Sequence, residues 1–221
     1  MKQINKIQEP NSLVQHRANP PAFYNGLSQA AKEELRQNLL SEQGHICCYC
    51  MKRIPESTNP YMKVEHYKCQ DYYPDLQLTY SNLFGACCGG EGKPKKLQTC
   101  DTQKGNQLLT INLLTNAPNC ETLLRYNANG EIGSDNDEID KQLNEILNLN
   151  MQTLKDGRRE VYLGVQKEVE AKSRQIGNKQ LRLKYFQQEK EKWLNRTDNK
   201  HRQFCMVAVY YLNKKIRKNQ N

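Results

Sequence analysis

The residues of this 221-residue chain best equipped for chemistry crowd between positions 47 and 105. In order they read Cys47-Cys48-Tyr49-Cys50, Val64-Glu65-His66-Tyr67, Asn82-Leu83-Phe84-Gly85-Ala86-Cys87 and Cys100-Asp101-Thr102-Gln103-Lys104-Gly105. Thiolates are soft ligands that suit zinc. Carboxylate, amide and imidazole suit a hard cation with a general base beside it. The stretch therefore holds the makings of two sites, a zinc staple and a metal-dependent phosphodiesterase centre.

Cys47-x-x-Cys50 has the spacing at which two thiolates reach one tetrahedral ion. Cys100 and either Cys87 or Cys88 would complete the set; Cys87 is favoured because it closes a strand running from Asn82. A redox dithiol is the rival reading, but no strand–helix–strand pattern surrounds the pair. Cys69, Cys120 and Cys205 read as buried thiols. For phosphodiester hydrolysis a water must be deprotonated, charge on the phosphorane neutralised and the leaving oxygen stabilised; a histidine and a hard divalent cation can do all three. Glu65-His66 offers a carboxylate and an imidazole together, although a regular strand points them to opposite sides, so the chain must bend there. Asp101 follows Cys100 where a helix can begin, so folding the knuckle also positions an acid. Of the other histidines, His45 reads as a helix-end surface residue, and His16 and His201 as solvent-exposed.

The elements that must position these residues are legible in outline. Residues 1–26, rich in Asn, Gln and Pro, read as an irregular lead-in. Ser28 can cap a helix to about Glu42 with Ala31, Leu35 and Leu39 on one face, ended by Gly44. Lys63 to Lys68 and Leu78 to Ala86 read as two strands around a loop. Gly89 to Lys96 is a turn-rich basic loop that lacks the first Gly and the Ser or Thr of a phosphate-binding loop. A short helix beginning at Thr99 or Asp101 carries Lys104 one turn in. Leu108 to Leu114 reads as extended, and Tyr126 to Ile132 as a hairpin. Ile139, Leu143, Ile146, Leu147, Met151 and Leu154 keep helical spacing. Val161, Val165 and Val169 suggest a further helix, and Phe204, Ala208, Tyr211, Leu212 and Ile216 the last one.

Formal charge is +9 and mean hydropathy −0.92, so the surface is polar and the core modest. From Lys172 to Asn221 there are 14 Lys/Arg against 3 acids, which leaves the rest of the chain at −2. A basic tail suggests a polyanion or an acidic partner, against the plainer reading of a solvated helix face. No apolar run approaches the roughly 18 residues of a membrane span. Nothing after Met1-Lys2-Gln3 reads as a secretory signal, and nine cysteines in that setting point to reduced thiols and a cytoplasmic location.

The quoted motifs resemble HNH endonucleases of the ββα-metal fold: a Cys-x-x-Cys, an acid–His pair, an Asn-Leu, a second cysteine pair, then Asn or His, two residues and Lys-Gly. The resemblance covers about residues 45–106 and looks closest to the HNH nuclease subunit of Septu anti-phage systems, also found beside retrons. Leu147-Asn148-Leu149-Asn150 with Arg158 downstream fits that subgroup. It implies an α+β chain in three parts: a lead-in and helix over 1–44, a zinc-stapled HNH core over 45–110, and a largely helical, basic, partner-docking region over 111–221. By position it makes His66 the general base, Asp101 with Glu65 the ligands of a catalytic Mg²⁺ or Mn²⁺, Asn82 a brace for the loop, and Lys104 a phosphate contact. Two departures stand out: Asp101 replaces the usual Asn or His, and the insert between Cys87 and Cys100 is long. The implied partners are an ABC-type ATPase subunit, in retron-linked versions a reverse transcriptase with its RNA–DNA product, and a nucleic-acid substrate, DNA or RNA. The rival readings are a non-catalytic zinc-stapled nucleic-acid-binding module and a restriction- or homing-type HNH nuclease acting alone.

Overall fold

The computed structural model describes residues 1–115 and 119–220. Helix α1 (Asn11–Arg17) interrupts the expected lead-in. Pro10 starts this helix instead of breaking it, since a proline at a helix start sacrifices only an amide that would be unpaired there anyway. Leu13 anchors it in the core, and Ile4 forms a parallel bridge with Leu114. Helix α2 (Gln29–Glu42) begins where Ser28 Oγ accepts from Ala31 N at 3.1 Å. Ala31, Leu35 and Leu39 are buried at four-residue spacing, as the sequence predicts. Gly44 ends the helix at φ +60°, and a Cβ there would stand 2.5 Å from His201 Cδ2.

The turn delivers the chain into the cysteine knuckle, which closes with an Ile46–Arg53 bridge. Buried Gln43 ties the helix end to the knuckle and to the sheet. Its side-chain Nε2 donates to Ile46 O and Gly85 O, and its Oε1 accepts from Gly85 N at 2.7 Å. Strand β1 (Met62–His66) pairs antiparallel with β2 (Leu83–Cys87), in a register running from Met62 opposite Cys87 to His66 opposite Leu83. The second strand starts later than expected, because Tyr80–Asn82 takes a 3₁₀ turn. Helix α3 (Cys100–Lys104) comes after the basic loop.

Residues 108–114 bury Leu109, Ile111 and Leu113 in alternation but join no regular strand. Helix α4 (Cys120–Leu123) leads into the hairpin of β3 (Leu124–Tyr126) and β4 (Ile132–Ser134). Helix α5 (Asp137–Lys141) runs into a π-helical turn, Gln142–Ile146, and then stops, with Asn148 at φ +47°. The apolar stripe from Ile139 to Leu154 is therefore split between two elements. The break is held by polar contacts that apolar spacing cannot reveal: Asn148 Nδ2 donates to Gln98 O at 2.8 Å, and Cys100 N donates to Leu147 O at 2.9 Å.

Helix α6 (Gln152–Arg174), α7 (Lys179–Leu194) and α8 (Cys205–Gln220) complete the fold. Helix α7 has no stripe to betray it; Phe186 is its one buried residue. His201, expected at the surface, is 6% exposed because Gly44 O accepts its backbone amide and Arg53 and Arg196 enclose it. One apolar cluster joins residues from Met1 to Ile216, so the helical half and the two-stranded sheet share a core. Among the described residues no helix is long and apolar enough to cross a membrane.

Candidate metal-dependent nuclease site

The four thiols of Cys47, Cys50, Cys87 and Cys100 converge, each Sγ lying within 4.8 Å of the others. Cys50–Cys87 and Cys87–Cys100 are each 3.8 Å. That matches the edge of a tetrahedron with metal–sulfur bonds of about 2.3 Å, which is about 3.8 Å. The cluster can hold a metal ion such as zinc. Cys88 is out of the set, because its Sγ donates to Pro60 O at 2.6 Å. Burial pushes the Cys47 thiol up, but hydrogen bonds from Cys100, Cys48, Cys50 and Cys87 pull it well below its usual range. Hydrogen bonds with Cys47, Cys50 and Cys87 push Cys100 well above it. Four thiols in one spot cannot all ionise unless a cation joins them. The three elements concerned are the knuckle, the end of β2 and the start of α3, so one ion would fasten them together.

Glu65 and Asp101 meet beside this cluster. Glu65 lies near the end of β1 and is 1% exposed. Its Oε1 accepts from Tyr49 Oη at 2.6 Å and from Lys104 Nζ at 2.8 Å. Tyr49 lies between the first two cysteines, so the knuckle itself grips the acid. Asp101 opens α3, with its carboxylate against Glu65 and 3.2 Å from Lys63 Nζ. Burial and the neighbouring Asp101 push Glu65 well up. Burial also acts upward on Asp101, but the hydrogen bond from Glu65 and the Lys63 ammonium outweigh it and hold Asp101 below the usual range.

His66 Nε2 donates to Gln77 O at 3.1 Å, which leaves Nδ1 as the basic nitrogen; Gln70 Nε2 lies 3.2 Å from it. The Tyr24 ring meets the imidazole edge-on at 4.6 Å. Burial lowers the His66 pKa, so the ring is neutral and able to accept a proton near pH 7. Glu65, His66 and Asp101 line one open cleft of ≈ 330 Å³, together with Lys63, Gln70 and Asp71. Asn82 stands behind it: its Oδ1 accepts from Lys68 N at 2.8 Å, and its Nδ2 donates to Lys68 O and Leu76 O. The loop carrying Gln70 and Gln77 is thereby fixed.

Lys104 is placed otherwise than the sequence suggests. It is 1% exposed, bonded to Glu65 and to the carbonyls of His66 and Gly105, and turns no free face to the cleft. One helical turn from Asp101, it points inward to neutralise Glu65. Spacing alone does not single out Tyr49, Lys63, Gln70 or Tyr24 as site residues. Tyr49 carries the only sequence signal, its place inside the knuckle; Lys63 and Gln70 reach the cleft through strand register and loop packing, and Tyr24 meets the His66 ring. The Leu147–Asn150 segment supports the site from behind. Fully buried Arg158 donates to Leu149 O at 2.7 Å, to Gly130 O at 2.6 Å and to Asn150 Oδ1 at 3.1 Å.

No protein-family model matches the chain. It is similar to proteins named as HNH endonucleases. Two relatives, from retron Ec83 of Escherichia coli and retron Vc95 of Vibrio cholerae serotype O1 biovar El Tor, each carry the name "putative HNH endonuclease". The first is 27% identical over 120 residues, covering 48% of this chain and 46% of the relative. The second is 31% identical over 107 residues, covering 47% and 48%. The Septu protein PtuB of Bacillus thuringiensis is 30% identical over 92 residues, covering 41% and 35%. The matches thus span half or less of each relative's length.

Proposed function

We propose that this chain is an HNH-type, metal-dependent endonuclease with a ββα-metal core, acting as the nucleic-acid-cutting subunit of an anti-phage defence assembly. The observation that carries the reading is that Glu65, His66 and Asp101 line one cleft, beside four thiols at tetrahedral spacing. The names of the Septu and retron relatives support the defence setting.

Two carboxylates on the wall of an open cleft are a donor set that fits a hard divalent cation. Glu65 and Asp101 would hold Mg²⁺ or Mn²⁺, which when bound supplies charge neutralisation at the phosphate and at the departing oxygen. His66 Nδ1 takes a proton from water as the water oxygen attacks phosphorus, and the bond from phosphorus to the leaving sugar oxygen breaks. Tyr49 and Lys104 fix the Glu65 carboxylate, and Asn82 fixes the loop that orients His66 through Gln77. The cysteine-bound ion is structural zinc in this reading and takes no part in the reaction.

Helices α6 to α8 supply the surface for an ABC-type ATPase subunit and, in a retron-type assembly, for a reverse transcriptase with its RNA–DNA product. Lys214, Arg217 and Lys218 are exposed at the end of α8, and Leu181 of α7 is 59% exposed. In a cytoplasmic assembly the thiols stay reduced. The test is incubation of the chain, with and without an ABC-type ATPase subunit of the Septu kind, with DNA and RNA under Mg²⁺. Cleavage that requires Mg²⁺ and is lost in His66→Ala, with zinc content and fold unchanged, is the expected result. Retention and gel shift of intact nucleic acid by the wild-type protein would instead favour a binding module.

A further inference from the structure

We propose that Lys63 serves as a stand-in cation on Asp101, is displaced when a divalent ion binds, and then turns to the phosphate of the bound nucleic acid. This rests on the nuclease reading above.

Lys63 lies on β1 two residues before Glu65, so strand alternation puts both side chains on one face. It is the one lysine or arginine lining the cleft among the described residues. Its side chain is 30% exposed, against 1% for Lys104. Its Nζ has three neighbours and is committed to none of them at close range: Asp101 Oδ2 at 3.2 Å, Glu91 Oε1 at 3.4 Å and Thr102 Oγ1 at 3.4 Å. Lys104, by contrast, is bound closely at 2.8 Å to a carboxylate that Tyr49 also holds, and to the carbonyls of His66 and Gly105.

The charges give the order of events. The Lys63 ammonium stands 3.2 Å from the Asp101 carboxylate, the group that would ligate a hard cation in this reading. A doubly charged ion competes for the same oxygens with twice the charge, so it displaces the ammonium, whose flexible four-carbon stem lets it swing only a short way. Glu91, whose Oε1 lies 3.4 Å from Lys63 Nζ, offers a second resting place. It belongs to the loop between Cys87 and Cys100, whose length departs from the minimal motif; that insertion thus supplies the latch. A bound phosphodiester brings two non-bridging oxygens into the cleft, and Lys63 is the one lysine or arginine lining it among the described residues. One side chain therefore covers Asp101 when the cleft is empty and binds phosphate when it is loaded.

The two tasks move two affinities in opposite directions. In Lys63→Gln, which keeps length and polarity, Mn²⁺ binding measured by calorimetry should tighten several-fold, because its competitor is gone. Affinity for a DNA or RNA duplex should fall about tenfold, with the salt dependence reduced by about one phosphate contact. That arm is measured in a His66→Ala background with Mn²⁺, so that the substrate stays whole. Turnover at saturating Mn²⁺ in the His66 protein should drop at least tenfold, with Lys63→Arg recovering most of it. A merely structural lysine would weaken metal and nucleic-acid binding together. Unchanged or weaker Mn²⁺ binding in Lys63→Gln, or unchanged nucleic-acid binding, overturns the proposal. If the wild-type protein cleaves nothing, the nuclease reading falls, and the two affinities still decide the role of Lys63.

Discussion

Lys104→Met separates a buried counter-ion from a phosphate ligand. The Lys104 ammonium and the Glu65 carboxylate are 2.8 Å apart, with both side chains 1% exposed. Removing one partner of such a pair costs about 3–5 kcal/mol, because a charge is left buried and unmatched. Methionine keeps most of the stem's volume, so the loss reports the charge and not a cavity. Two features pull the figure toward the lower end: Tyr49 still donates to Glu65, and Glu65, already pushed up by burial, can take a proton when its cation is gone. Holding that proton becomes harder as pH rises, so the destabilisation should grow with pH. At roughly 2–4 °C per kcal/mol for a chain of this size, the melting temperature should drop by about 6–12 °C at neutral pH. Thermal unfolding measured by circular dichroism, with the zinc content of each protein held equal, reads this directly. The double variant Glu65→Gln with Lys104→Met removes both charges and should recover more than half of the loss. A Lys104→Met protein that melts within about 1 °C of wild type, yet binds nucleic acid more weakly, would rule out the buried counter-ion and return Lys104 to the phosphate.

The same geometry sets two further outcomes. Cys50→Ser removes one corner of the thiol cluster and should release the ion, leaving less than a tenth of the wild-type zinc by elemental analysis and lowering the melting temperature by about 10 °C or more, since knuckle, β2 and α3 lose their common fastening. His201 is buried with its pKa depressed from 6.5 to about 4, burial being the main cause and Lys2, Arg196 and Arg53 adding to it. The unfolded chain therefore takes up this proton first, so the stability tied to His201 is present above pH 6.5 and is lost as pH falls toward 4, by up to about 3 kcal/mol. His201→Asn should flatten that part of a urea-midpoint profile; an unchanged slope would speak against a buried neutral His201.

What the sequence reveals is local. Cys47-x-x-Cys50, Glu65-His66 and the Cys100-Asp101 junction announce themselves by type and spacing, and Ser28 and Gly44 bound a helix by chemistry within a few residues. What it conceals is settled across distance. Cys87 and Cys88 are equivalent in composition, and the strand register opposite Met62 decides between them. Lys104 and Lys63 are both lysines near an acid; one helical turn buries the first, and strand alternation leaves the second in the cleft. Helix α7 is hidden in the sequence because it is built from Lys, Gln, Glu and Leu, which favour helix without marking an apolar face. The split of the Ile139–Leu154 stripe depends on Asn148 and on the Leu147 carbonyl, which reach back to the loop before α3. His201 is buried by Gly44 and Arg53, on the far side of the sequence, as well as by nearby Arg196.

On this reading two metal sites of opposite character lie side by side, a soft one that folds the loops and a hard one that the folded loops create. Diffraction from crystals soaked in Mn²⁺, with anomalous maps recorded at the zinc and manganese edges, distinguishes them in one experiment. The expected maps show a zinc peak enclosed by Cys47, Cys50, Cys87 and Cys100, a separate manganese peak against Glu65 and Asp101, and the Lys63 ammonium withdrawn from Asp101. Manganese absent from the cleft at saturating concentration, or no metal among the four sulfurs, would contradict the pairing of a soft site with a hard one.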